Sequence, residues 1–191
     1  MPKPVIITTS REPSRRTRSF IKDIACLAPW IIRLTRGKLT FKELVEYAIG
    51  ENASTLAIVC ERRANPSIIR VYDLTQPIEN GLPLHVYTLF LKGVTLSREK
   101  GRRTSDLCVE KAVIESEPPS SDADRDMVLA AIKLFNADIT APSSVNALVI
   151  IIRKKYWGYK MEFKDSKTNR WVGPIINVEG VKKIGRPAGP T

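Results

Sequence analysis

Apolar and polar positions along the chain fall into two periods. "PVIITT" (Pro4–Thr9) is a short β-branched apolar run, the pattern of a buried strand. Pro13 and Ser14 then open a helix reaching about Leu27. On the helical repeat Phe20, Ile24, Leu27 and Ala28 share one face, and Arg15, Arg18 and Lys22 share the opposite one. "WIIRL" (Trp30–Leu34) predicts a second strand, with "TRGK" as the turn after it. In "TFKELVEYAIG", Thr40 and Glu43 form a capping box. Phe41, Leu44, Val45, Ala48 and Ile49 line one face of that helix, and Gly50 supplies the stop. "TLAIVCER" and "SIIRVYDL" predict two strands, joined through "RANP" by a turn short enough for a hairpin.

"TQPIENGLPL" (Thr75–Leu84), with its prolines, glycine and asparagine, reads as a joint between halves. "HVYTLFLKGV" follows as a long strand, and "SREKGRRTS" as a basic cluster with no assigned element. "ESEPPSSDAD" is a loop ending in a helix cap at Ser121 or Asp122. Met127, Val128, Ala131, Ile132 and Phe135 form the buried stripe of that helix. Three strands, "ALVIIIRKKY", "YKMEFKD" and "RWVGPIINVE", come before a basic Gly/Pro tail, "GVKKIGRPAGPT", expected to fray. The pattern predicts an α/β (mixed α+β) fold of two tandem similar halves, about 1–78 and 79–184, each a mixed sheet with packed helices. Residues 185–191 form a flexible tail. The likeness of the halves is architectural; no residue-level repeat is present.

Composition narrows the function. The 191 residues are 43% hydrophobic, which suits a packed core rather than a disordered chain. Thirty-one Lys and Arg stand against 20 Asp and Glu, a net charge of +11 that attracts polyanions. The longest apolar run, "ALVIII", falls far short of the roughly 20 residues that span a bilayer, and the amino terminus lacks a signal-peptide core. No membrane association is expected. Cys26, Cys60 and Cys108, odd in number and widely separated, read as small buried hydrophobes of a reducing cytosol.

Nothing in the chain assembles the parts of a catalyst, so no catalytic residue, metal or cofactor is expected. His85, the single histidine, stands at a strand start and reads as a packing residue. "GVTLSREKGRRTS" lacks P-loop spacing, because Gly101 follows its lysine. Asp122, Asp124 and Asp126 lie in a helix's first turn, where the macrodipole accounts for them.

The cationic run from Arg11 to Lys22 has two readings, a solvated helix face or a surface built for phosphate. Three features favour the second. Arg11, Arg15, Arg16, Arg18 and Lys22 face only Glu12 and Asp23, although like charges one turn apart repel. Arginine predominates, and its planar fork suits phosphate. Thr8, Thr9, Ser10 and the helix's first N–H groups add neutral donors. Further cations cluster at Arg62 and Arg63, at Arg102 and Arg103, and in "RKKYWGYK". There Tyr156, Trp157 and Tyr159 either stack on bases or, for Trp157, pack inward.

"IITTSREPSRRTRSFIKDIA" resembles the first segment of the Brix domain: an apolar strand, T-T-S-R-x-P-S, R-T-R-x-F and a K-D-[IL] step, present here from Thr8 to Ile24. The likeness is to the small-subunit processome branch, whose protein accompanies the box C/D guide ribonucleoprotein on precursor ribosomal RNA. "ERRANPSIIRVYDL" is similar to a second segment, with Ala64 and Ser67 at that segment's glycine positions. "GLPLHVYTLFLKGV" is similar to a third, more loosely. The resemblance runs from Pro4 to about Ile184 and lacks long charged extensions, as in a minimal archaeal form. It implies two halves like the anticodon-binding module of class IIa aminoacyl-tRNA synthetases. It also implies a non-catalytic ribosome-biogenesis factor that binds precursor ribosomal RNA, or guide RNA paired with it, alongside assembly proteins. Such a factor is cytoplasmic in an archaeon and nucleolar in a eukaryote. The expected phosphate contacts are Arg11, Arg15, Arg16, Arg18 and Lys22, with Arg62, Arg63, Arg102 and Arg103 secondary. The alternative is a module whose basic surface docks acidic segments of assembly partners.

Overall fold

The computed structural model describes residues 2–76, 82–102, 107–139 and 146–187. Strands β1 (Val5–Thr9), β2 (Ile31–Arg33), β3 (Thr55–Arg62), β4 (Asn65–Asp73), β5 (Leu84–Thr95), β6 (Lys111–Ser116), β7 (Ala147–Lys155), β8 (Gly158–Asp165) and β9 (Trp171–Pro187) form one sheet, in the order β2-β1-β3-β4-β5-β9-β8-β7-β6. Helices α1 (Arg15–Ala25), α2 (Phe41–Gly50) and α3 (Asp122–Phe135) pack against it. The protein is therefore mixed α/β, but the halves share a sheet instead of each building its own.

Local signals placed the helices. Ser14 accepts from the Thr17 N–H at the start of α1, Thr40 and Glu43 close a capping box on α2, and Ser121 accepts from the Asp124 N–H on α3. Two details differ from expectation. Ile49 is exposed, and α2 runs through Gly50; the left-handed turn after it falls to Asn52 at φ 55°. β1 is buried along its whole length because helices cover both faces: α1 joins the core over Val5 and Ile7, α2 the one over Ile6.

β6 ("KAVIES") was not predicted. It is a six-residue strand with a charged flank, and its three buried residues gain that burial from parallel pairing with β7. Its discovery exposes the internal likeness. β1 pairs in parallel with β3, which forms a hairpin with β4, and β4 pairs with β5; β6, β7, β8 and β9 repeat that order. Even the edge is repeated, since β2 flanks β1 in parallel and Asp138 bridges in parallel to Val113 of β6. The closing strands of the two halves, β5 and β9, pair antiparallel at the centre. That pairing continues to Pro187, so Gly180–Pro187, expected to fray, is strand; residues 188–191 and residues 77–81 of the Thr75–Leu84 joint lie outside the described residues.

The two halves interlock. One core holds Phe20 and Ile24 of α1 together with Met127, Leu134 and Phe135 of α3. The Trp30 indole N–H donates to the Phe135 carbonyl (2.9 Å), Thr55 donates to the Lys133 carbonyl (3.1 Å), and Lys133 meets Asp73 at 2.6 Å. The first two bonds satisfy carbonyls at the end of α3, which the helix itself leaves open, and the third ties its last turn to β4. Asp124 accepts from Lys154 (2.9 Å), Ser120 (2.7 Å) and Tyr159 (2.8 Å).

Those carboxylates make stability depend on acid. The bonds from Lys154, Ser120 and Tyr159 hold Asp124 well below the usual carboxylate range. Burial opposes ionisation of Asp73, but the bonds from Lys133 and Thr75 outweigh it and leave the group lowered. Groups depressed on folding stabilise fully above their unfolded pKa and lose that contribution as pH falls through the folded value. The melting temperature should hold down to about pH 5 and drop steadily below about pH 4. Thermal melts across that range check it, and a flat profile to about pH 2 refutes it.

Candidate nucleic-acid interface

β1 and β2 run in parallel, yet their outgoing loops lead to helices on opposite faces. Such divergence leaves a crevice beyond the carboxyl ends of the strands. One wall is the Arg11–Pro13 turn, with Glu12 at φ 53°; the other is Thr35–Lys38, with Gly37 at φ 53°. Thr8 ties the walls to the sheet by donating to the Leu34 carbonyl (2.8 Å), so its hydroxyl is consumed and buried instead of being offered to phosphate.

The crevice encloses about 620 Å³, and Arg11, Arg18, Arg33, Arg36 and Lys38 line it against Glu12 alone. Arg36 donates to the Leu39 carbonyl (3.2 Å), and burial together with the neighbouring Arg11 charge pulls its guanidinium below its ordinary value. Holding two arginines together costs energy that an anion between them would offset. Arg33 also lines an adjoining hollow of about 390 Å³ with Lys22, so the cationic groove continues along the outer side of α1.

Arg15, Arg18 and Lys22 are exposed on α1, and no described carboxylate comes within ion-pair distance of them or of Arg11. The first turn of α1 has no acid of its own. Glu61 of β3 supplies one, accepting from the Ser14 N–H (2.9 Å) and the Thr17 hydroxyl (2.5 Å). Burial would raise the Glu61 carboxyl, but these bonds and the Arg18 charge hold it low. The next residues, Arg62 and Arg63, are exposed, and the Ser14 hydroxyl donates to Ala64 (3.0 Å) in their turn. Arg63 and Ala64 both have positive φ, a tight hairpin made without the glycine such turns favour. Of the nine expected contacts, six (Arg11, Arg15, Arg18, Lys22, Arg62 and Arg63) lie exposed around α1.

Two other expected contacts already have a carboxylate partner. Arg16 is bound by Glu99 (2.5 Å) and the Val94 carbonyl (2.8 Å), clasping α1 to the second half. Arg102 is bound by Glu162 (2.7 Å) and is mostly buried. Arg103 lies outside the described residues. Arg33, Arg36 and Lys38 were missed; the available signal was a cation-rich turn directly after a strand of a strand–helix–strand unit. Of the aromatic cluster, Tyr156 is fully exposed, Tyr159 is buried with its phenol pushed up to about 12 by burial and by Asp124, and Trp157 lies under Lys92. Cys108, expected to be buried, is exposed. His85 packs on Tyr72 and shares a hydrogen bond with Thr88 (2.9 Å). Among the described residues no acidic, cysteine and histidine cluster could hold a metal, and no helix is long and apolar enough to cross a membrane.

No family model matches the chain. A probable Brix domain-containing ribosomal biogenesis protein of Aeropyrum pernix is 34% identical over 192 residues, covering 95% of each chain. The chain belongs to the Brix domain-containing ribosomal biogenesis proteins. A Sulfurisphaera tokodaii relative of the same description is 28% identical over 92% of this Brix chain and 91% of its own length. The crystal structure of a probable ribosomal biogenesis protein from Aeropyrum pernix K1 matches with a TM-score of 0.78 and 30% identity, covering 99% of both chains. Mil, an archaeal Imp4-like protein, matches this Brix chain in fold with a TM-score of 0.66 at 21% identity, over 94% of this chain and 99% of its own.

Proposed function

We propose that this Brix protein is a non-catalytic, cytoplasmic ribosome-assembly factor that binds precursor ribosomal RNA through the groove along α1. Its place is in small-subunit processing, where guide RNA paired with the precursor is a second ligand of the same groove. One observation carries the reading: Arg11, Arg18, Arg33, Arg36 and Lys38 surround one crevice with Glu12 as its single acid. Phosphate neutralises such a cluster, and the counterions it releases make affinity depend steeply on salt. The kinship to proteins described as ribosomal biogenesis factors supports the choice of ligand. The same reading takes each half as a module of the anticodon-binding kind, supported by the repeated strand order.

The test compares wild type with the Arg11→Ala/Arg18→Ala/Arg33→Ala variant, binding a structured ribosomal RNA fragment across a salt series. The variant should lower the slope of log affinity against log salt by about two to three. An unchanged slope removes the groove from the RNA site. Should wild type fail to bind RNA at moderate salt, the ligand itself is wrong.

A further inference from the structure

Trp171 opens β9 opposite Lys164 of β8 and keeps 38% of its surface exposed on the sheet face opposite α1 and α3. Three cations stand around its ring: Arg102 at 5.5 Å, Lys164 at 5.8 Å and Arg153 at 5.9 Å from the centroid. Glu162, beside them, holds Arg102 (2.7 Å), Lys160 (2.9 Å) and Arg153 (3.9 Å). Three cations thus share one acid. Arg102 has only 12% of its side chain exposed, and its Nη1 is buried without a hydrogen-bond partner. A hollow of about 550 Å³ adjoins the ring; Lys100, Arg102, Arg170 and Trp171 line it together with one acid, Asp165, which accepts from the Thr168 hydroxyl (2.6 Å).

We infer that Trp171 is a stacking platform for an unpaired nucleobase of RNA, with Arg153 and Lys164 holding the flanking phosphates and Arg102 bracing the ring. The inference rests on the RNA reading above but concerns a second, separate surface. The ring decides between ligands of the same charge. A carboxylate meets the negative face of the indole and gains nothing from it, whereas a base gains by stacking on that face while its phosphates reach the cations. The cations rigidify the ring in advance, and Arg153, half exposed and held to Glu162 only at 3.9 Å, can turn its guanidinium to the incoming phosphate. Duplex RNA keeps its bases stacked internally and offers the platform nothing.

The experiment measures wild type, Trp171→Ala and Trp171→Phe against single-stranded oligo-uridylate and a fully paired RNA duplex. Trp171→Ala should weaken single-strand binding by roughly five- to a hundredfold. Its salt slope should not change, because no charge is removed. Trp171→Phe should recover most of the affinity, and duplex binding should be equal for all three proteins. Single-strand binding by Trp171→Ala equal to wild type overturns the platform while leaving the α1 groove intact. An equal loss for duplex also overturns it, showing that the residue supports the fold. If wild type binds neither RNA, the platform and the groove fall together. Trp171→Phe keeps the test decisive should the alanine variant unfold.

Discussion

Replacing Glu162 with alanine lowers the unfolding free energy by about 3–5 kcal/mol, the loss expected when a buried cation is left without its acid. Only 7% of the Glu162 side chain is exposed, in the middle of β8. Of its partners, Lys160 is 31% and Arg153 53% exposed, so both can turn outward to water. Arg102 cannot, being enclosed by Glu162 and Trp171. Removing both members of the pair, as Glu162→Ala/Arg102→Leu, should restore most of the loss, since no orphan charge remains. Guanidinium melts with an unchanged m-value report the difference. A loss below about 1 kcal/mol, typical of an exposed pair, would show that water reaches the network. The acid dependence has a fixed sign. Burial opposes ionisation of Glu162, Arg102 and Lys160 outweigh it, and the carboxyl is lowered. Wild type therefore loses this contribution as pH falls below about 4, and Glu162→Ala, without the group, does not.

What could be read from the sequence was what is decided locally. Thr40 with Glu43, Ser14 before α1 and Ser121 before α3 act over a single turn, and all three caps formed as their residues predict. The β3–β4 hairpin needs only two neighbouring strands, and it formed as well. Pairing across the chain was invisible. Arg15 and Arg16 look alike in sequence, yet the helical turn exposes one and aims the other at Glu99, 83 positions away. Arg102 likewise meets Glu162 across 60 positions. The sign of a run of charge thus predicted a basic surface, but not which members stay available. The crevice was hidden for the same reason. Arg11 and Arg36 come together only because β2 crosses back beside β1, and the walls belong to loops leaving toward different faces.

Gly173→Ala should cost about 2–4 kcal/mol, from two sources at one position. The residue sits at φ 62°, where the ladder between β8 and β9 shifts register, so any side chain there is strained by about 1 kcal/mol. A Cβ would also lie 2.4 Å from Cδ2 of Leu27, which is itself buried after the end of α1; overpacking of this kind adds about 1–3 kcal/mol. The clash can be separated from the strain by combining Gly173→Ala with Leu27→Ala in a double-mutant cycle. If crowding dominates, the pair destabilises by less than the sum of the single changes; strict additivity assigns the whole cost to backbone strain. A Gly173→Ala loss below about 1 kcal/mol would refute both. The position matters beyond stability because it ties two surfaces together. The bulge seats the end of the basic helix α1 on β9, two residues from Trp171, so forcing Leu27 away should disturb the α1 groove and the Trp171 platform at once.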